Sequence, residues 1–273
     1  MSNKTPSDHL RESLSGAKKT KGRPAFVAFT TCGFPSLDAT VPILLGLQEG
    51  GADVIEVGIP FSDPIADGPT IQKSSFIALS KGTTIDKCFE KVKEARQAGL
   101  HVPVILMGYY NPMLRLGERN AVKKAFECGA NGFIVVDLPP CGQESLSFKK
   151  HCDHFGMSFV PLISPATSTS RIKAITATAN AFVYCVAVTG VTGKRSEIPT
   201  YLKEYIARVR STTDMPIGVG FGISDHQQFS AVGEIADAVV VGSAIIKAIS
   251  ADLEHPEKAA KQFALMMTTG KSD

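Results

Sequence analysis

Short apolar runs rich in β-branched residues recur along the whole chain, and helix-like stretches separate them. The runs are residues 26–32, 53–58, 102–107, 132–136, 158–163, 181–188, 217–220 and 238–241, eight in all. Between them, residues 37–49, 84–98, 118–128, 168–179, 200–211 and 225–232 read as helices. Such alternation dictates a parallel sheet, and strands apolar on both faces need cover on both. The fold class is therefore α/β. Eight strand–helix units in 273 residues fit a (β/α)8 TIM barrel, whose usual size is ~250 residues. The alternative, a doubly wound open sheet, calls for a glycine-rich turn after an early strand, and no GxGxxG follows residues 26–32.

Residues 5–18, with Leu10 and Leu14 one helical turn apart, predict an extra N-terminal helix placed to plug the bottom of the barrel. Residues 255–267 predict one more helix at the other end. No linker divides the chain, so 1–273 reads as a single domain: 1–24 as N-terminal helix and connector, 25–268 as barrel, 269–273 as tail.

In a barrel, chemistry is expected where strands end and loops begin. Glu56 lies between Ile55 and Val57 in the second strand, where a carboxylate is costly to ionise. The loop that follows carries Asp63 and Asp67. One buried and one loop carboxylate can act as two acids of different pKa. Glu56 could instead be paired structurally, but no strand candidate carries a Lys or Arg. The same absence leaves the sixth strand without a Schiff-base lysine. Asp63 and Asp67 precede Pro or Gly and can also cap turns. Tyr184 sits inside the sixth strand, where packing is the default role and strand parity decides whether it faces the barrel mouth.

The seventh and eighth strands end in Gly220-Phe221-Gly222-Ile223-Ser224 and Gly242-Ser243-Ala244. Small residues there let backbone N–H groups approach an anion, and a helix follows each loop. This pair of loops is the usual phosphate site of barrels. Plain turns with N-caps at Ser224 and Ser243 are the alternative. Gly190-Val191-Thr192-Gly193 adds a third glycine-rich lip. His151-Cys152-Asp153-His154 has a metal-like composition but ends a Lys-rich helix far from the strand ends, so it reads as a solvated helix end and no metal site is expected.

The formal charge of +3 is slight, and the one basic cluster, Lys18, Lys19, Lys21 and Arg23, reads as a solvated connector, so no nucleic-acid partner is expected. The six cysteines form no CxxC pair, which points to a reducing compartment. No apolar run approaches the ~18 residues of a membrane span, and the N-terminus shows no signal-peptide core. A cytoplasmic protein without membrane contact is expected.

The segment Glu56-Val57-Gly58-Ile59-Pro60-Phe61-Ser62-Asp63-Pro64-Ile65-Ala66-Asp67-Gly68-Pro69-Thr70-Ile71-Gln72 resembles the signature of the α subunit of tryptophan synthase. Agreement continues at Met107-Gly108-Tyr109-Tyr110-Asn111-Pro112, at Gly190-Val191-Thr192-Gly193 and at both phosphate-type loops, over roughly residues 10 to 268. Residues 129–140 are most similar to the fungal form, in which this domain is fused ahead of a β domain. The resemblance implies a (β/α)8 lyase of tryptophan biosynthesis that cleaves indole-3-glycerol phosphate to indole and glyceraldehyde 3-phosphate. It implies Glu56 as general acid/base, Asp67 as partner to the indole N–H, and Tyr184 as the active-site tyrosine. It also implies phosphate contacts at Gly193, Gly222, Gly242 and Ser243, with Thr192, Phe29 and Phe221 as further substrate contacts and Asp63 in loop closure or partner signalling. No cofactor is implied in this domain; pyridoxal phosphate belongs to a β subunit or fused β domain, the implied partner. The chain departs from many relatives at Ala187 and Val188, before the sixth loop, and at Pro140-Cys141-Gly142-Gln143-Glu144, after the fourth strand. A free α subunit, part of an α–β fusion and a stand-alone indole-releasing lyase all remain open, as does another barrel enzyme acting on a phosphorylated metabolite.

Overall fold

The computed structural model describes residues 4–187, 198–220 and 222–271. Its strands are β1 (Ala25–Thr31), β2 (Val54–Gly58), β3 (Val104–Gly108), β4 (Gly132–Val135), β5 (Ser158–Phe159), β6 (Leu162–Ile163), β7 (Val183–Val186), β8 (Ile217–Gly220) and β9 (Ala238–Val241). All pairings are parallel. The order is β5-β4-β3-β2-β1-β9-β8-β7-β6.

The two ends of that row are consecutive pieces of one extended segment. Between them, the Val160 N–H donates to the Phe133 carbonyl beside β4 at 2.8 Å, and the Pro161 carbonyl accepts from the Tyr184 N–H of β7 at 3.0 Å. The sheet curls round and meets itself there, closing a (β/α)8 barrel. The fifth strand, expected as one run, is thus two halves, because Pro161 has no N–H to give to the ladder. Of the sixth run, expected over 181–188, the described strand is Val183–Val186, and Val188 lies outside the described residues.

Alternate residues on each strand point inward. Val27, Val54, Ile105, Ile134, Val160, Phe182 and Ala238 form a buried cluster, to which the first helix adds Leu10, Leu14 and Ala17. That helix runs Pro6–Lys21, three residues longer than the expected end at Lys18. The Thr5 hydroxyl accepts from the Asp8 N–H and the Asp8 carboxylate accepts from the Thr5 N–H, a reciprocal cap that fixes its start. Leu10 and Leu14 are fully buried, each contributing roughly 2 kcal/mol. The helix closes the barrel floor. The outward residues Ala28, Ile55, Val57, Val104 and Leu106 pack against surrounding helices through Ile43, Leu44 and Leu47, which is why the strands read apolar on both faces. Helices Pro69–Ser80 and Tyr110–Leu116 begin inside segments that the sequence presents as strand-end loops.

Candidate active site

Phe29 of β1, Glu56 of β2, Met107 of β3, Tyr184 of β7, Gly220 of β8 and Val240 of β9 line a cavity of about 220 Å3 at the strands' C-terminal ends. Phe29 and Glu56 are register partners across β1 and β2, which sets the ring beside the carboxyl. Strand parity turns Tyr184 into the barrel mouth. A Cβ at Gly220 would overlap the Tyr184 hydroxyl, so only glycine leaves that ring its place. The rim includes Gly222, Ser224, Gly242 and Ser243, together with Ile71 and Lys247.

Glu56 is 1 % exposed. Among the described residues no cation pairs with it, and its Oε1 finds no hydrogen-bond partner. Burial pushes its pKa from 4.5 up to about 8. Near neutrality the carboxyl therefore keeps its proton. The unfolded chain ionises this group near 4.5 and the folded chain only near 8, so the folded state holds the extra proton between those values. Glu56 thus favours folding below the lower value, and that contribution is lost as pH rises toward the higher one. The thermal midpoint of Glu56→Gln, compared with the parent by calorimetry, accordingly gains on it as pH goes from about 5 to about 8. A difference that stays constant across that range overturns the protonated state.

Asp67 is half-buried. The Tyr109 hydroxyl donates to its Oδ2 at 3.0 Å and itself accepts from the Ala66 N–H at 3.0 Å. Burial raises the Asp67 pKa and the Tyr109 hydrogen bond opposes the rise. Beside this pair Phe61 of the same loop stacks on Tyr109, ring centroids 5.0 Å apart. Tyr109 is thus a site residue that the sequence reading missed. Its signal was its place just after β3, inside the Met107–Pro112 motif. The Tyr184 phenol is pushed well above its ordinary range by burial, then by Glu56 and Asp67, so those three groups share one electrostatic environment. Asp63 stands apart. It is exposed, accepts from the Ser62 hydroxyl at 2.6 Å, and its carbonyl accepts from the Ile65 N–H at 2.9 Å, as a turn residue does.

The two small-residue loops differ from each other. Helix His226–Ile235 is capped by Asp225, whose side chain accepts from the Gln228 N–H, and not by Ser224. Helix Ser243–Ala251 starts after Gly242 with no side-chain cap, so Ser243 is its first residue and not its N-cap. Its first N–H groups are left for whatever occupies the rim. Gly222, at φ 65, takes the left-handed conformation that glycine supplies without strain. Thr192, Gly193 and Phe221, with Val188 before them, lie outside the described residues. Among the described residues no group of three or more His, Cys, Asp or Glu side chains is placed to hold a metal ion. His151 instead lies 3.7 Å from the Glu118 carboxylate on the outer layer, and Cys152 is buried.

A family model described as tryptophan synthase alpha chain matches residues 16–272. Tryptophan synthase of Saccharomyces cerevisiae is 48% identical over 241 residues, which are 88% of this chain and 34% of that protein. The chain therefore spans about a third of the yeast relative's length. The tryptophan synthase alpha chain of Geotalea daltonii is 42% identical over 232 residues, 85% of this chain and 87% of that one. Among solved structures, the tryptophan synthase alpha chain from Legionella pneumophila superposes with a TM-score of 0.85 at 32% identity, covering 95% of each chain.

Proposed function

The chain belongs to the tryptophan synthase alpha chain family, and from that premise we propose that it cleaves indole-3-glycerol phosphate by a retro-aldol reaction to indole and glyceraldehyde 3-phosphate. The observation that carries this reading is Glu56: a protonated carboxyl with an unpartnered oxygen, set in a cavity whose rim is built of glycine and serine loops with Lys247 beside them. C–C cleavage beside an indole needs an acid at the ring carbon first, and burial is what keeps one available near neutral pH.

Glu56 delivers its proton to indole C3, and the positive charge falls on the ring nitrogen. Asp67, ionised and accepting from the indole N–H, stabilises that cation. The Tyr109 hydrogen bond supports the ionised form against the burial that opposes it. Glu56, now a carboxylate, takes the proton from the hydroxyl on the carbon attached to C3. The oxygen pair becomes the aldehyde carbonyl, the C3–carbon bond breaks, and its electron pair neutralises the ring. One proton is given and one returned, so Glu56 ends as it began. Tyr184 and Phe29 pack the indole, while Gly222, Gly242 and Ser243 hold the phosphate with Gly193. Thr192 and Phe221 complete the substrate contacts.

The cleavage draws on no cofactor in this domain. We assign pyridoxal phosphate to a β partner, separate or fused, that consumes the indole, with Asp63 on the loop that would signal to it. The length of the yeast relative beyond the matched part supports a fused form. Six free cysteines, all but Cys141 buried, support a cytoplasmic setting, and no helix among the described residues is long and apolar enough to cross a membrane. The test is indole release from the purified chain given indole-3-glycerol phosphate, with and without a β subunit. Release in either arm is expected. No indole in both arms overturns the reading in favour of another phosphorylated substrate.

A further inference from the structure

We propose that Lys247 discriminates the substrate's phosphate, its ammonium reaching the open N-terminus of helix Ser243–Ala251 and supplying the charge that the neutral loops lack. The inference deepens the reading above and rests on it, since it takes the rim as the seat of a phosphate monoester.

Lys247 lines the cavity together with Ser243 and Ala244. Those residues lie four and three positions before it, so all three share one helix face. Side chains on a helix lean toward its N-terminus. The aliphatic stem of Lys247 therefore rises past Ala244 and Ser243 toward the uncapped first turn. The other described residues at that end of the cavity are neutral: Gly222, Ser224, Gly242 and Ser243. Farther in stands Glu56, with Asp67 close by, and an ionised carboxylate there repels a phosphate dianion. Lys247 is the one cation among the described residues lining the cavity. Among the described residues its ammonium has neither a hydrogen bond nor an ion pair.

A free cation above the positive end of a helix is in an unfavourable place on its own. A dianion seated between them reverses the sign of both interactions and adds a charge-assisted hydrogen bond. The uncapped N–H groups then hold the phosphate from the helix axis and Lys247 from the rim. The backbone donors fix its position, and the ammonium separates a phosphorylated ligand from its uncharged counterpart.

The test uses the whole chain and glycerol 3-phosphate as probe, with Lys247→Met keeping the stem and removing the charge. Calorimetric affinity for the probe falls about tenfold, the scale of a lost hydrogen bond to a charged group. The KM for indole-3-glycerol phosphate rises by a similar factor, with the loss falling on KM more than on kcat. Lys247→Arg restores most of both, whereas Lys258→Met, the same charge change on helix Pro256–Thr269, leaves both as they were. Parent affinity also weakens with ionic strength, and that slope flattens in Lys247→Met. Glycerol 3-phosphate bound as tightly by Lys247→Met as by the parent overturns the inference, as does a parent affinity indifferent to salt. A parent that binds the probe with the Lys247 dependence but releases no indole overturns the cleavage reading and leaves this one standing.

Discussion

Replacing Glu56 with glutamine stops indole release while the substrate still binds. The substitution keeps the shape of the side chain and takes away the proton it can give. General acid–base groups contribute 10²–10⁴-fold, so a fall in kcat of about a thousandfold is expected. The effect belongs to kcat because the proton is needed at the transition state and not for binding. Among the described residues lining the cavity, those nearest in kind are Tyr184, whose phenol burial holds far above neutral pH, and Lys247 at the rim. The measurement is the initial rate of indole formation beside a calorimetric titration with substrate. A variant that turns over within about tenfold of the parent, a loss too small for a general acid, removes Glu56 from the chemistry.

Asp67→Asn costs about a hundredfold in kcat, the scale of losing one stabiliser of transition-state charge. An amide can still meet the indole nitrogen, but it carries no charge to set against the cation, and its NH2 group conflicts with the Tyr109 hydroxyl that now donates to Oδ2. Tyr109→Phe separates the two contributions. It leaves the carboxyl in place and deletes the hydrogen bond that opposes the burial-driven rise of its pKa. Its activity recovers toward the parent's as pH is raised, because ionisation of Asp67 is then restored by alkali. Asp67→Asn shows no such recovery. Identical pH profiles for the two variants would mean that Tyr109 does not act through Asp67.

The parts of this molecule that were legible in the sequence are those set by local pattern. Residues 217–220 and 238–241 pair over the same bounds in β8 and β9, because two-sided apolar runs have one stable environment in an α/β fold. Glu56 stood out because a carboxylate in an apolar run has no bland explanation once pairing cations are missing. What escaped depends on contacts made across the chain. Tyr109 meets Asp67 from 42 positions away, and its place in the Met107–Pro112 motif does not say which carboxylate it meets. Ser224 and Asp225 are both capping residues, and only backbone geometry selects Asp225. Lys247 looks like any solvent-facing lysine until the helix that carries it is docked beside the barrel mouth. Pro161 was visible, but a continuous apolar run on either side masked the break it causes.

The floor built by Leu10, Leu14 and Ala17 under the inward residues of the strands makes the cavity blind. A vessel closed at one end has a single door. Substrate enters, and both products depart, through the same ring of loops, so whichever fragment sits nearer the opening governs when the other can escape. Traffic through the molecule is settled at the rim and not in the interior. A protein seated over that ring would command the exit without touching a catalytic side chain.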